Sequence, residues 1–246
     1  MTHPVRILLL QTGHASEPIR SQFGDFNDQF LRAIDTPWVD LHVYNVCDVW
    51  PGTPFPHLED FQGVLVTGSA AMLDEGKPWM KACVVFIQKL LNTSVPFLGV
   101  CFGHQLLGAA LGAQVGPNPN GRANGTREVH LLPTNDVLFS KIPSPIFVQV
   151  SHRDVILEKN PGFEILGFSN HDPFHVIRAG KHAWGVQFHP EWNMDISRAY
   201  IELRRDVLNK EMGEGHAERI LADLHPSPQG ALILKSFVEI CRQGGA

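Results

Sequence analysis

The chain has 246 residues, of which 43% are hydrophobic and 18% charged, so it is long enough to bury a sizeable core without disulfides or metals. Several fused catalytic modules are excluded, because each typically needs about 100–200 residues. The formal net charge of -5 gives no argument for a concentrated basic face. Nucleic acid and anionic membranes are therefore not expected as partners.

The four cysteines, Cys47, Cys83, Cys101 and Cys241, are widely spaced and contain no Cys-x-x-Cys pair. This spacing indicates neither a disulfide framework nor a structural zinc site, and it favours a reducing, cytoplasmic location. No apolar run approaches the ~20 residues that span a bilayer.

Short apolar runs alternate with helical patterns through the first half of the chain. We expect strands at residues 6–10, 39–46, 63–67 and 96–100, a helical pattern across residues 19–34, and a helix at 78–91. Short apolar strands separated by helix-sized segments are typical of a mostly parallel sheet with helices on both faces. The predicted fold class is therefore α/β, a three-layer αβα sandwich.

Beyond residue 112 the pattern changes, because prolines separate shorter β-like pieces such as residues 128–132 and 146–150. This part is predicted to be more antiparallel. A late strand is expected at 183–188, followed by helices at 196–208 and 231–241. Without a linker of distinct composition, the prediction is a single domain over residues 1–246, with a core of about 5–195 and a helical tail at 196–246.

Residues 97–108 carry the most informative motif, an apolar strand that runs through Gly99, Cys101 and Gly103 directly into an apolar helix. This arrangement is typical of a nucleophile elbow, in which a reactive side chain sits on a tight strand-to-helix turn. The positive end of the helix favours a thiolate at this position. A buried core thiol is the alternative interpretation, and the two flanking glycines favour the nucleophile.

A thiol nucleophile needs a base, and the base needs an orienting group. Residues 185–191 end an apolar strand in His189-Pro190-Glu191, which supplies both. Taken alone, His189 would be interpreted as a structural histidine. Combined with the elbow, it is predicted to be the base, and Glu191 the group that orients it.

These residues resemble the class I glutamine amidotransferases. The likeness rests on three segments: Gly-Val-Cys-Phe-Gly-His-Gln at 99–105, Gly-Val-Gln-Phe-His-Pro-Glu at 185–191, and Val-Thr-Gly-Ser-Ala at 66–70. The chain is most similar to free-standing members that resemble the amidotransferase domain of GMP synthase, a group that includes plant γ-glutamyl peptidases. The resemblance implies a flavodoxin-like fold.

The resemblance also implies roles for individual residues. Cys101 would attack the γ-carboxamide of glutamine to give a γ-glutamyl thioester and ammonia, with His189 as proton carrier and Glu191 holding its tautomer. Backbone N–H groups of Ser69 and Phe102 would form the oxyanion hole. The substrate's α-amino and α-carboxylate end would be held by Gln105, Ser151 and His152. No cofactor is implied.

Two positions depart from the family pattern. Ala70 stands where the family usually has proline, so a less rigid oxyanion loop is expected. Arg153 replaces a glycine and is interpreted as a solvated surface arginine; contact with a substrate carboxylate is the alternative interpretation. Elsewhere, His171 and His175 have the spacing of two metal ligands on one helix face, but Pro173 argues against a helix there, and no metal site is predicted.

The expected partner is a small molecule, glutamine or another γ-glutamyl compound. The chain either supplies ammonia to a separate synthetase subunit or acts alone as a γ-glutamyl hydrolase or peptidase. Two other classes stay open at this point. One is a non-catalytic relative that keeps the fold for binding, and the other is a thiol chaperone or glyoxalase-like protein, which would not need the His-Pro-Glu segment.

Overall fold

The computed structural model describes residues 4–244. Its strands are β1 (Val5–Gln11), β2 (Val39–Asn45), β3 (Gly63–Val66), β4 (Phe97–Val100), β5 (Val115–Pro117), β6 (Ala123–Leu131), β7 (Ile146–His152), β8 (Asp154–Ile156), β9 (Glu164–Phe168), β10 (Val176–Ala179) and β11 (Ala183–Val186). Its helices are α1 (Glu17–Phe23), α2 (Phe26–Ile34), α3 (Pro78–Leu90), α4 (Phe102–Ala110), α5 (Met194–Leu203), α6 (Arg205–Met212), α7 (His216–Ala222) and α8 (Pro228–Gln243).

Nine strands form one sheet in the order β2-β1-β3-β4-β11-β10-β9-β6-β7. The first five in this order are parallel to one another, and the remaining four continue the sheet with antiparallel pairings. Strands β5 and β8 form a separate antiparallel ribbon. The change from parallel to antiparallel pairing follows the change in sequence pattern beyond residue 112.

Helices cover both faces of the parallel part of the sheet, as predicted. Along β1, Ile7 and Leu9 pack into one core with α2 and α8, whereas Leu8 and Leu10 pack into the other with α3 and α4. Successive side chains of a strand point to opposite faces, so a strand between two helical layers must be apolar throughout. The predicted three-layer α/β fold is therefore confirmed.

Two predicted helices are each divided into two. The pattern across residues 19–34 forms α1 and α2, because Gly24 between them has a φ of 74° and the Asp25 side chain caps the start of α2. The helix predicted at 196–208 forms α5 and α6, which meet at Arg204. No helix in residues 4–244 is both long and apolar enough to cross a membrane.

Candidate active site

Cys101 lies between β4 and α4 with φ 52° and ψ -99°, a backbone conformation that is unusual for a residue with a side chain. A Cβ on Gly99 would lie 2.4 Å from the Gly103 carbonyl oxygen, and a Cβ on Gly103 would lie 2.6 Å from that of Val66. Both glycines are therefore required by close backbone contacts. The strained turn has the geometry predicted for an elbow.

His189 and Glu191 follow β11, the neighbour of β4 in the sheet. The His189 Nδ1 atom lies 2.8 Å from Glu191 Oε1, and both side chains are buried. Burial opposes the charged imidazolium, but the Glu191 carboxylate and the adjacent Cys101 side chain raise the pKa of His189 to about 10. Because Nδ1 pairs with Glu191, Nε2 is the ring nitrogen left for Cys101.

The imidazole is fixed by residues that the sequence motifs do not include. The Trp192 ring stacks on His189 with centroids 3.7 Å apart and an interplanar angle of 7°, and the Trp192 indole N–H donates to Gln29 Oε1 at 3.1 Å. The backbone N–H of His189 donates to the Gln149 carbonyl of β7 at 2.9 Å. Ring orientation and backbone position are thus both fixed by packing across the sheet.

The predicted oxyanion donors lie on either side of the elbow. Ser69 follows β3 and Phe102 begins α4, and within residues 4–244 neither backbone N–H donates a hydrogen bond to another protein group. The Ser69 hydroxyl donates to the Thr12 carbonyl at 2.6 Å, and the Thr12 hydroxyl donates to the Gly68 carbonyl at 2.8 Å. These bonds anchor the loop although Ala70 stands where the family has proline.

Gln105 and Gln187 connect the thiol to the ribbon strand β8. The Gln187 amide donates to Cys101 Sγ at 3.6 Å, and the Gln105 amide donates to Gln187 Oε1 at 3.3 Å and to the Asp154 carbonyl at 2.8 Å. Gln187 was not predicted from the sequence, and its side chain is buried. A glutamine between the apolar Val186 and Phe188 was a usable signal, because a buried position next to a strand normally carries an apolar residue.

Ser151 and His152 end β7 at the same edge of the sheet as the Cys101 turn. The Ser151 hydroxyl donates to Asn124 Oδ1 at 3.1 Å and accepts a hydrogen bond from the Arg204 guanidinium. Within residues 4–244, neither ring nitrogen of the buried His152 has a hydrogen-bond partner. Burial, reinforced by His175, lowers the pKa of His152 well below its ordinary value, so this ring is neutral.

Two adjoining cavities open onto these residues. The first, named the thiol cavity, is lined by all predicted site residues except His189 and Glu191, and also by three arginines. Its lining includes Ser69, Cys101, Phe102, Gln105, Ser151, His152, Arg122, Arg153 and Arg204. The second, named the imidazole cavity, is lined by His189, Glu191, Ser69, Ser151, Arg204, Phe26, Trp192 and Tyr200, among others.

The three arginines differ in their partners. Arg153 Nε donates to Asp154 Oδ1 at 2.8 Å, so this side chain lies at the thiol cavity and is ion-paired there. Arg122 pairs with Glu211 at 2.7 Å. Arg204 makes no ion pair within residues 4–244; it donates to Ser151, and its guanidinium carbon lies 5.2 Å from the centre of the Tyr200 ring. Neither Arg122 nor Arg204 was predicted from the sequence.

His171 and His175 lie in a turn between β9 and β10, so the helix excluded by Pro173 is absent at these residues. His175 contacts Ser169, with Nδ1 and the hydroxyl 3.2 Å apart, and His171 Nε2 lies 2.9 Å from the Gly121 carbonyl oxygen. Among residues 4–244, these two histidines belong to no group of three metal-ligating side chains with adjacent donor atoms. Their contacts are those of packed, hydrogen-bonded residues.

Comparison with known proteins identifies the family. The model of the family described as glutamine amidotransferase class-I matches residues 23–203. A glutamine-hydrolyzing GMP synthase subunit of Archaeoglobus fulgidus is 31% identical over 188 residues, which cover 74% of this chain and 94% of that protein. Gamma-glutamyl peptidase 5 of Arabidopsis thaliana is 28% identical over 214 residues, covering 84% of this chain and 82% of the relative.

The fold comparison agrees. The crystal structure of a glutamine amidotransferase from Thermotoga maritima superposes with a TM-score of 0.72, covers 98% of this chain and 100% of its own, and is 24% identical in sequence. At this identity the likeness shows a shared fold. Together with the family match over most of the sequence, it establishes that the chain belongs to the class-I glutamine amidotransferase family.

Proposed function

We propose that the chain hydrolyses a γ-glutamyl amide, such as glutamine, through a γ-glutamyl thioester on Cys101. The observation that carries the proposal is the convergence of a strained Cys101 elbow with the buried His189–Glu191 pair at one edge of the sheet. A thiol, an imidazole and a carboxylate in this order form a nucleophile, a base and the group that orients the base. A purely structural cysteine has no need of a positive φ.

In the first half-reaction the Cys101 sulfur attacks the γ-carbonyl carbon, and the carbonyl oxygen becomes an oxyanion. The free backbone N–H groups of Ser69 and Phe102 stabilise that oxyanion. The protonated His189 gives its Nε2 proton to the leaving nitrogen as the carbon–nitrogen bond breaks, which yields the thioester and the free amine or ammonia. The raised pKa of His189 supports this role, because it keeps the imidazolium available near neutral pH.

In the second half-reaction His189 removes a proton from water, and the resulting hydroxide attacks the thioester carbonyl. The carbon–sulfur bond breaks, glutamate leaves, and the thiolate and imidazolium pair is restored. Glu191 stabilises the imidazolium through its 2.8 Å contact with Nδ1. The reaction therefore requires water as its second substrate and no cofactor.

The thiol cavity is the proposed site of the glutamyl group. Its volume is about 250 Å³, below the about 300–1,000 Å³ typical of drug-sized ligands, so it suits a group of amino-acid size. The Gln105 amide nitrogen is bound to Asp154 and Gln187, which leaves its carbonyl oxygen to accept from the substrate's α-ammonium. Arg153 and Ser151 lie where an α-carboxylate can bind.

Hydrolysis is tested by measuring glutamate release from glutamine and from γ-glutamyl dipeptides. We expect release by the wild-type chain and loss of at least about 1,000-fold in Cys101→Ala, since removal of a nucleophile leaves only residual catalysis. Cys47→Ala, which removes a thiol outside both cavities, serves as the matched control and should keep full activity. No turnover of either substrate class, or activity retained in Cys101→Ala, would overturn the proposal.

A second candidate function is the supply of ammonia to a separate synthetase. It is supported by the similarity to the GMP synthase subunit of Archaeoglobus fulgidus, which the chain matches over 94% of that relative's length. Glutaminase activity should then rise when a candidate synthetase and its substrates are added. An unchanged glutaminase rate, combined with efficient dipeptide hydrolysis by the chain alone, would argue against this second function.

A further inference from the structure

The imidazole cavity adjoins the thiol cavity and is lined by the proposed catalytic pair His189 and Glu191. It shares Ser69, Ala70, Ser151 and Arg204 with the thiol cavity, so the two cavities meet beside Ser69, one of the proposed oxyanion donors. Cys101 lines the thiol cavity, whereas His189 and Glu191 line the imidazole cavity. A substrate whose carbonyl lies at the junction can therefore extend in two directions.

The proposed chemistry decides which part of the substrate lies in which cavity. His189 must be within hydrogen-bond reach of the leaving nitrogen in order to protonate it. The leaving group therefore extends into the cavity that His189 lines, and the glutamyl group occupies the thiol cavity. When glutamine is the substrate, the leaving group is ammonia, which would fill almost none of this space.

The imidazole cavity has the size and walls of a binding site for an apolar side chain. Its volume is about 190 Å³, and three of its walls are the aromatic rings of Phe26, Trp192 and Tyr200. The Trp192 and Tyr200 rings stack with centroids 4.4 Å apart, which makes a rigid apolar surface. An apolar or aromatic group of amino-acid size would be buried against them.

Arg204 adds a cation to these apolar walls. It lies at the break between α5 and α6 and lines both cavities. Within residues 4–244 its guanidinium has no carboxylate partner, unlike the ion-paired Arg122 and Arg153. The Arg204 side chain is partly buried, and this burial lowers the pKa of its guanidinium. A partly buried cation without an ionic partner is stabilised by an anionic ligand.

We propose that the leaving group is an α-amino acid with an apolar side chain and a free carboxylate, which Arg204 binds while Phe26, Trp192 and Tyr200 enclose the side chain. This inference rests on the proposed hydrolysis. It names γ-glutamyl dipeptides with an apolar second residue as the preferred substrates, above glutamine. Arg204 is then a specificity-determining residue for the group that departs.

The test compares γ-glutamylphenylalanine with its C-terminal amide, which lacks only the negative charge. We expect the wild-type chain to prefer the free acid by about 10- to 100-fold in kcat/KM, the range for a charge-assisted hydrogen bond to a buried partner. In Arg204→Gln the preference should fall to less than about 3-fold, because kcat/KM should drop much more for the free acid than for the amide. Arg204→Lys should keep an intermediate preference.

The amide substrate also controls for misfolding, because a damaged variant would lose activity on both substrates. Equal rates of the wild-type chain on acid and amide would overturn the inference, as would an equal loss on both in Arg204→Gln with an unchanged melting temperature. A wild-type preference for γ-glutamylglycine over γ-glutamylphenylalanine would contradict the apolar walls. Failure of the proposed function looks different, because then neither dipeptide is hydrolysed at all.

Discussion

Gly68 lies against both proposed catalytic side chains, so replacing it by alanine tests whether their mutual position matters. A Cβ at Gly68 would lie 2.9 Å from His189 Cε1 and 3.5 Å from Cys101 Cβ. The first contact is about 0.5–1 Å shorter than an optimal carbon–carbon separation, so the imidazole must move by a similar distance. The φ of Gly68 lies outside the left-handed region, and alanine therefore costs little in the backbone itself.

We expect kcat for γ-glutamyl hydrolysis in Gly68→Ala to fall about 10- to 100-fold, because a displacement approaching 1 Å costs about 100-fold in a positioned reaction. The melting temperature should change by only a few degrees. Glutamate release and a thermal melt measure the two quantities. Gly116→Ala is the matched control, since its Cβ would meet the end of the Leu157 side chain at 3.1 Å, away from both cavities. A Gly68→Ala kcat within twofold of wild type would refute the reasoning.

Three further substitutions test the supporting interactions. Glu191→Gln removes the charge that stabilises the imidazolium, so the pKa of His189 should fall. The alkaline limb of the pH–rate profile should then move to lower pH, and kcat should drop about 100-fold or more. An unshifted pH–rate profile would contradict this prediction. Burial raises the pKa of Asp172 to about 7. The protonated Asp172 carboxyl therefore contributes stability to the folded chain that is fully present below the ordinary carboxyl pKa and is lost as the pH rises through 7. Asp172→Asn should therefore be more stable than wild type at pH 8, by on the order of 4 kcal/mol in urea unfolding, and nearly as stable as wild type at pH 4. Gly230→Ala would place a Cβ 2.7 Å from the Pro190 carbonyl oxygen. The substitution should lower the free energy of unfolding by about 1–3 kcal/mol and should also lower the hydrolysis rate. An unchanged melting temperature and an unchanged rate would show that α8 does not support the segment that carries His189.

The elbow could be predicted from sequence because its causes are local. Gly99 and Gly103 are needed by contacts between residues four apart in the chain and with the adjacent strand β3, and the spacing of small residues around Cys101 reflects those contacts. The His189–Glu191 pair is equally local, because two residues separated by a proline meet directly. The alternation of apolar strands and helical patterns likewise predicted the layers.

Other parts of the site could not be predicted, because tertiary packing creates them. In the sequence, Arg204 is one residue of a single predicted helix, at 196–208. Only the break between α5 and α6, which the sequence pattern does not show, places Arg204 at both cavities. Trp192 stacks on His189, and its indole N–H donates to Gln29 of α2, a residue more than 160 positions earlier in the chain. Such contacts leave no periodic signal.

The most direct test of the central claim is to trap the acyl-enzyme. A reaction with a γ-glutamyl substrate is quenched in acid during turnover, digested and examined by mass spectrometry. The proposed mechanism predicts a mass increase of one glutamyl acyl group on the peptide that contains Cys101, with more of it in a variant slowed in the hydrolysis of the thioester. Turnover without any such adduct, or with the adduct on another residue, would contradict the mechanism.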